Sequence, residues 1–235
     1  SYRQNNIKNK IMKKKIIIYS IVLFVILIGC GLFLRVIYMD KESESEVYEA
    51  NDTIVDELDY IDHVVIDIQP LGNFSEAEAE RIAGELEVLA YEQLKMLAEI
   101  YVQPTQPLQS DYLNKNKSRY DACKLTDAFK HDCTYTIVLL HKDISIPRYR
   151  GKSDWGVLGL TLQPGKTCVV SDFRLKNKKR DMAKVILHEF IHAYFNYKHC
   201  PNNDVTCIMK DAKGKADFAK KKGLCKECRS RLHVQ

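Results

Sequence analysis

The pentapeptide His188-Glu189-Phe190-Ile191-His192 narrows the choice of fold more than any other stretch of this chain. Histidines four apart on a helix share one face, one turn apart. Both imidazoles can then reach a single metal ion at ~2.0–2.1 Å. The glutamate between them projects beside the metal, where it can take a proton from bound water. Val185-Ile186-Leu187 just before it is apolar, so the helix is buried on one side and reads as a cleft wall. The pattern predicts this helix over 181–195, with Asp181 near its positive end. Zinc that does chemistry keeps three protein ligands and one open position, so a third donor is required. His199 is the candidate. A straight helix would carry it too far along the axis, so the helix has to break after His192, and Asn196 is the residue suited to a left-handed turn there.

The cysteines form a second pattern. Cys200 and Cys207 enclose six residues, and Cys225 and Cys228 form a C-x-x-C pair. Four thiolates so spaced suit tetrahedral zinc at ~2.3 Å. Two disulfides are the alternative, which an oxidising compartment permits. Cys123, Cys133 and Cys168 are left over; a Cys123–Cys133 bridge and an unpaired buried role are both open. Cys30 belongs to an N-terminal apolar run. His63, His131, His141 and His233 have no motif around them and read as surface or structural residues.

That apolar run, Ile16 to Leu34, contains no charge. At 1.5 Å per residue it reaches about 28 Å, close to a hydrocarbon thickness of ~30 Å. Lys8, Lys10, Lys13, Lys14 and Lys15 precede it and acids dominate after Lys41, so the positive-inside rule puts the N-terminus in the cytoplasm and the remainder outside. Two readings stand: an uncleaved transmembrane anchor, or a bacterial lipoprotein signal in which Leu27-Ile28-Gly29-Cys30 makes Cys30 the lipidated residue. The expected organisation is a basic segment over 1–15, the anchor or signal over 16–38, an acidic solvated linker over 39–62, and a folded domain over 63–235. The 46% hydrophobic content of the chain permits a packed core. A net charge of +5, much of it at the chain ends and without a reader motif, argues against nucleic acid as a partner. Lys176 to Arg180 is a basic run that reads as a solvated loop.

Within the domain, Val and Ile enrichment predicts strands at His63–Ile68, Ile100–Val102, Thr134–Leu140, Val157–Thr161 and Thr167–Ser171. Ser75 and Glu78 form a capping box, followed by a helix with Ile82, Leu86, Leu89, Leu94 and Leu97 on its apolar face. A second helix is expected over Asp111–Phe129. The tail after Cys200 lacks periodicity.

These motifs together resemble the archaemetzincins, a family of metzincin zinc peptidases. The family pattern is H-E-x-x-H-x-x-G-x-x-H-C, then C-x-M, then C-x-x-C. Here stand His188, Glu189 and His192, then His199-Cys200, Cys207-Ile208-Met209 and Cys225-Lys226-Glu227-Cys228. The family's glycine and third-histidine positions hold Phe195 and Lys198. Both features return one residue later, as Asn196 and His199, and Cys200 to Cys207 is longer than the family's four-residue interval. Asp154-Trp155-Gly156-Val157-Leu158-Gly159-Leu160-Thr161 also resembles the strand region before the family's zinc helix. The likeness covers roughly residues 61–235, with its specific motifs between Asp154 and Cys228.

The resemblance implies an α+β, metzincin-like zincin: a twisted mixed β-sheet with a zinc-binding active-site helix and a small C-terminal four-cysteine zinc subdomain. It implies a catalytic Zn2+ on His188, His192 and His199, with Glu189 as general base. It also implies a structural Zn2+ on Cys200, Cys207, Cys225 and Cys228, with Met209 as the Met-turn residue beneath the ligands. A peptide or protein would be the substrate, lying extended along an edge strand, expected near Thr167–Ser171. The rival readings are a catalytically weak or inactive zinc-binding peptide-recognition module, should His199 fall out of reach, and a membrane assembly protein that relies on the anchor.

Overall fold

The computed structural model describes residues 62–234, apart from 132, 150, 177–180, 203 and 214–217. The basic segment, the apolar run with Cys30 and the acidic linker up to residue 61 lie outside the described residues. Among the described residues no helix is long and apolar enough to cross a membrane.

The chain opens with strand β1 (His63–Pro70) and helix α1 (Glu76–Leu94). Ser75 caps α1 by accepting a hydrogen bond from the Glu78 N–H at 3.2 Å, the first half of a capping box. Its buried face carries Ala79, Ile82, Ala83, Leu86, Ala90 and Leu94. Lys95 then turns left-handed (φ 53°) and ends the helix. Leu97, expected on the apolar face of α1, instead starts strand β2 (Leu97–Val102) and is half exposed.

The helix expected over Asp111–Phe129 is mostly absent. A single 3-10 turn at Ser110–Tyr112 and the two-residue strand β3 (Tyr120–Asp121) precede a short helix α2 (Ala122–Ala128). The Asn114 carboxamide accepts the backbone N–H of Ser118 at 3.1 Å, a local bond that competes with helix formation. Asp121 caps α2 by accepting from Cys123 N at 3.0 Å.

Strand β4 (Tyr135–Leu140) is followed by a hairpin, β5 (Ile144–Tyr149) and β6 (Lys152–Val157), turned at Gly151 with φ 80°. The single strand expected over Val157–Thr161 is thus divided between the end of β6 and strand β7 (Gly159–Thr161). Strand β8 (Thr167–Ser171), helix α3 (Met182–Phe195) and helix α4 (Lys226–Arg231) complete the elements.

The main sheet runs β2-β1-β4-β8-β7. Its first four strands are parallel, and β7 pairs antiparallel with β8, Leu160 opposite Val169. A second sheet has the order β3-β5-β6. The sheet is therefore mixed, as the zincin reading requires. Side chains alternate across it. Ile137, Leu139, Cys168 and Val170 face the larger core, with α1 and α3. Val138, Leu140 and Val169 face a smaller one, with Leu125 and Ile144.

One expectation is corrected by this topology. Thr167–Ser171 is not an edge. It lies between β4 and β7 with all five residues buried, as an interior strand must. Among the described residues, the edge on that side is the short strand β7.

Candidate metal centre

Helix α3 is apolar on nearly every side, and the residues from Val185 to His192 are all buried. His188 and His192 stand one turn apart on it, with Nε2 atoms 3.1 Å apart. Each ring is fixed through its other nitrogen. His188 Nδ1 lies 2.8 Å from the carbonyl oxygen of Ile208, and His192 Nδ1 is hydrogen-bonded to the carbonyl of Tyr197. A ring that donates Nδ1–H to a carbonyl presents the lone pair of Nε2, the tautomer a metal requires.

Burial also keeps both rings neutral. It lowers the His188 pKa well below the ordinary imidazole value, with neighbouring His192 adding to the effect. It lowers His192 to about 4, against the opposing hydrogen bond to Tyr197.

Asn196 ends α3 in the left-handed conformation (φ 48°, ψ 32°), the turn read from the sequence. Gln163, after β7, secures the returning chain by donating to the carbonyls of His192 (2.8 Å) and Tyr197 (3.1 Å). His199 comes back beside the pair, its ring centroid 5.2 Å from that of His188 and 4.8 Å from that of His192. One ligand atom from each of the three lies within 4.8 Å of the others. Two nitrogens bound tetrahedrally at ~2.0–2.1 Å stand about 3.3–3.4 Å apart, so the 3.1 Å separation of His188 and His192 suits one zinc ion.

Glu189 points from α3 towards β7. Its carboxylate Oε2 accepts from the Thr161 hydroxyl at 3.0 Å. Burial raises its pKa to about 7, against the lowering effect of that hydrogen bond. The three histidines and Glu189 line a cavity of about 440 Å³, whose other walls include Tyr149, Trp155 and Phe218. The β5–β6 hairpin supplies Tyr149 and Trp155. Trp155 and Thr161 fall in the segment Asp154–Thr161 that resembles the family's strand region, but their places beside the histidines, and those of Tyr149 and Gln163, follow from no spacing in the sequence.

The four cysteines also converge, with their sulfurs within 4.8 Å of one another. Cys200 Sγ is 3.7 Å from Cys225 Sγ, and Cys207 Sγ is 3.7 Å from Cys228 Sγ. Disulfides need ~2.05 Å, whereas sulfurs bound tetrahedrally to zinc at ~2.3 Å stand about 3.8 Å apart. All four thiols are free, as are Cys123, Cys133 and Cys168, so the structure forms none of the candidate disulfides. Burial pushes the Cys200 thiol up to about 11. At Cys225 the same burial is outweighed by hydrogen bonds from the Cys228 backbone and the neighbouring thiols, and its pKa falls. A dication among the sulfurs favours the thiolate at all four.

The two groups share backbone. Cys200 follows His199 directly and donates its N–H to the Met209 carbonyl at 2.8 Å. Met209 itself is fully buried in the turn whose Ile208 carbonyl holds His188.

A third group comes from residues the sequence did not single out as ligands. His141 sits between Asp172 (Nδ1 to Oδ2, 2.9 Å) and Glu78 (Nε2 to Oε2, 3.3 Å), stacked on Phe74. One ligand atom from each of Glu78, His141 and Asp172 lies within 4.8 Å of the others, a third group able to hold a metal ion and one the sequence reading of His141 as a surface or structural residue did not anticipate. His63 lies exposed, 3.6 Å from Glu99.

No protein-family model matches the chain, and no curated protein matches its sequence. Solved structures do. The archaemetzincin from Methanopyrus kandleri is similar at 23% identity and a TM-score of 0.58, over 73% of this chain and 94% of that one. The archaemetzincin from Archaeoglobus fulgidus, solved with malonate, is similar at 24% identity and 0.57, over 72% and 99%. A zinc-dependent peptidase from Methanocorpusculum labreanum is similar at 18% identity and 0.54, over 71% and 99%. The described domain has the archaemetzincin fold.

Proposed function

We propose that this chain is a zinc-dependent peptidase of the archaemetzincin type, tethered to a membrane by its N-terminal apolar run with the hydrolytic domain outside the cytoplasm. One observation carries the peptidase reading: three imidazoles converge, two with neutral lone pairs facing each other, directly beside a buried glutamate on a cleft wall. His188, His192 and His199 are the proposed holders of a catalytic Zn2+. Cys200, Cys207, Cys225 and Cys228 are the proposed holders of a structural one. Met209 supports the floor beneath the histidines.

When bound, the catalytic zinc supplies a Lewis acid that polarises the scissile carbonyl and acidifies water. The remaining work falls to the chain. Glu189 removes a proton from the attacking water as its oxygen bonds to the carbonyl carbon. It then delivers that proton to the amide nitrogen as the C–N bond breaks, so it leaves each cycle unchanged. The substrate backbone lies extended alongside β7, an edge of the sheet among the described residues, and pairs with its main-chain groups. The rim of the cavity at Tyr149 and Trp155 faces the substrate side chains.

Glu189→Gln tests the assignment. Peptide hydrolysis is expected to fall by at least about 10²-fold with both zincs retained. Undiminished hydrolysis in that variant rejects it. The exposure of His199 favours a second reading, a zinc-dependent binding module without turnover. Wild-type protein that holds two zincs and binds peptides without cleaving them supports that reading instead. For the tether, the charge bias around Ile16–Leu34 is the support. Full-length protein in spheroplasts that resists external protease contradicts it.

A further inference from the structure

Strand β7 borders Glu189 with two residues on the same face, Gly159 and Thr161. The Thr161 Oγ1 lies 3.0 Å from Glu189 Oε2 and 2.9 Å from the Glu189 main-chain carbonyl oxygen. At Gly159 a Cβ would stand 2.6 Å from Glu189 Cγ and 2.7 Å from Oε1. Real Cβ atoms essentially never make contacts that short, so any other residue at 159 would require the Glu189 side chain to shift.

We propose that Thr161 is the positioning residue of the general base, fixing Glu189 through Oε2 in a slot that Gly159 keeps open. This inference rests on the reading of Glu189 as the proton carrier. A buried carboxyl group on a flexible three-carbon stem has several rotamers, and only some aim an oxygen at the attacking water. With Oε2 tied to the Thr161 hydroxyl, the other oxygen, Oε1, takes up and releases the proton. Oε2 accepts a hydrogen bond whether the group is a carboxylate or a carboxylic acid, so the tie survives the whole proton cycle. A lysine or arginine at 161 would favour the carboxylate alone and oppose the protonated stage. The hydroxyl has a single proton to donate, and in this proposal it goes to Oε2, with the Glu189 carbonyl (2.9 Å) and Cys168 Sγ (3.3 Å) as its competing neighbours.

The test compares Thr161→Val, which keeps the shape and removes the hydroxyl, with Thr161→Ser, which keeps the hydroxyl. In the zinc-loaded, full-length protein, Thr161→Val is expected to lower kcat by about 10–100-fold, with KM and zinc content unchanged. Thr161→Ser is expected to recover most of that loss, and Gly159→Ala to lower kcat as well. The second readout needs no turnover. Crystals of the zinc-loaded variants should show Glu189 in one rotamer with Ser at 161 and spread over several with Val. A single, unmoved Glu189 rotamer in Thr161→Val, or a kcat within about twofold of wild type, overturns the proposal. Should Val at 161 prevent folding, Thr161→Ala against Thr161→Ser gives the same discrimination. If wild type cleaves no peptide, or Glu189→Gln cleaves as well as wild type, the peptidase reading fails instead, and the rotamer comparison still decides whether Thr161 positions Glu189.

Discussion

The two ligand clusters sit side by side yet are built in opposite ways. Two of the three imidazoles come from one regular helix, whose periodicity sets their separation, and the third arrives through a left-handed turn. The four thiols come from loops and one short helix, with no regular element to fix their spacing. Three nitrogens leave one position of a tetrahedral metal free, next to Glu189. Four sulfurs leave none. On the proposed reading the difference is a division of labour: the open cluster suits chemistry, and the closed one ties down a tail whose Phe218, Leu224 and Leu232 pack into the larger core. The clusters are not independent, because Cys200 adjoins His199 and the turn from Cys207 to Met209 holds His188.

That asymmetry can be broken from the closed side first. Cys228→Ser should have the largest effect, since a structural zinc is worth on the order of 10 kcal/mol of folding free energy. The tail beyond Cys200 should become sensitive to protease, and zinc at the histidines should weaken with it. A variant that keeps a protected tail would show that the thiols merely pack. From the open side, replacing His188 and His192 together with alanine should leave one zinc per chain by elemental analysis and abolish hydrolysis, with the tail still protected. Two zincs remaining in that variant would mean the histidines are not a metal site.

Acid sharpens the contrast in protein depleted of zinc at the histidines alone, with the four-cysteine cluster loaded. His188 and His192 are held neutral, whereas in the unfolded chain they titrate at about 6.5. The unfolded state then binds more protons, so their contribution to stability is lost as pH falls below about 6.5. Glu189 acts in the other direction. Its carboxyl is raised to about 7, so its contribution is present in full below about pH 4.5 and lost as pH rises through about 7. Glu189→Gln removes this partial compensation, worth up to about 3 kcal/mol. Its melting temperature should therefore fall more steeply than wild type between pH 7 and pH 4.5 in scanning calorimetry. A shallower fall would show that Glu189 is not buried as described.

The smallest effect concerns the turn. Met209→Leu conserves volume in a fully buried position and should cost less than about 1.5 kcal/mol by denaturant unfolding, with zinc at both clusters retained. A loss of zinc from the histidines alone would mean that the thioether has a specific role there.

What could be read from the sequence follows the same divide. Helix α3 was legible because spacing within a helix is spacing in space, and the break at Asn196 followed from the reach that His199 needs. The strands of the parallel sheet were legible from their β-branched runs, except that β2 showed only its second half, Leu97 having been read as part of the preceding helix. The β5–β6 hairpin was legible only in part: Asp154–Val157 fell in the family-like strand region, but Pro147 and the polar residues of β6 hide the alternation of the rest, and the hairpin holds the far wall of the cleft. The edge was misplaced because an interior strand and an edge strand of this length look alike until pairing is known. The contact of Thr161 with Glu189 was not legible for a related reason: the two are 28 residues apart and meet only across the edge of the folded sheet.

Anomalous diffraction at the zinc edge tests the central claim most directly. Two zinc peaks are expected, one among the four sulfurs at ~2.3 Å and one within ~2.0–2.1 Å of His188, His192 and a ring nitrogen of His199, with Glu189 beside it. A zinc at the first two histidines with the ring of His199 turned into solvent would contradict it.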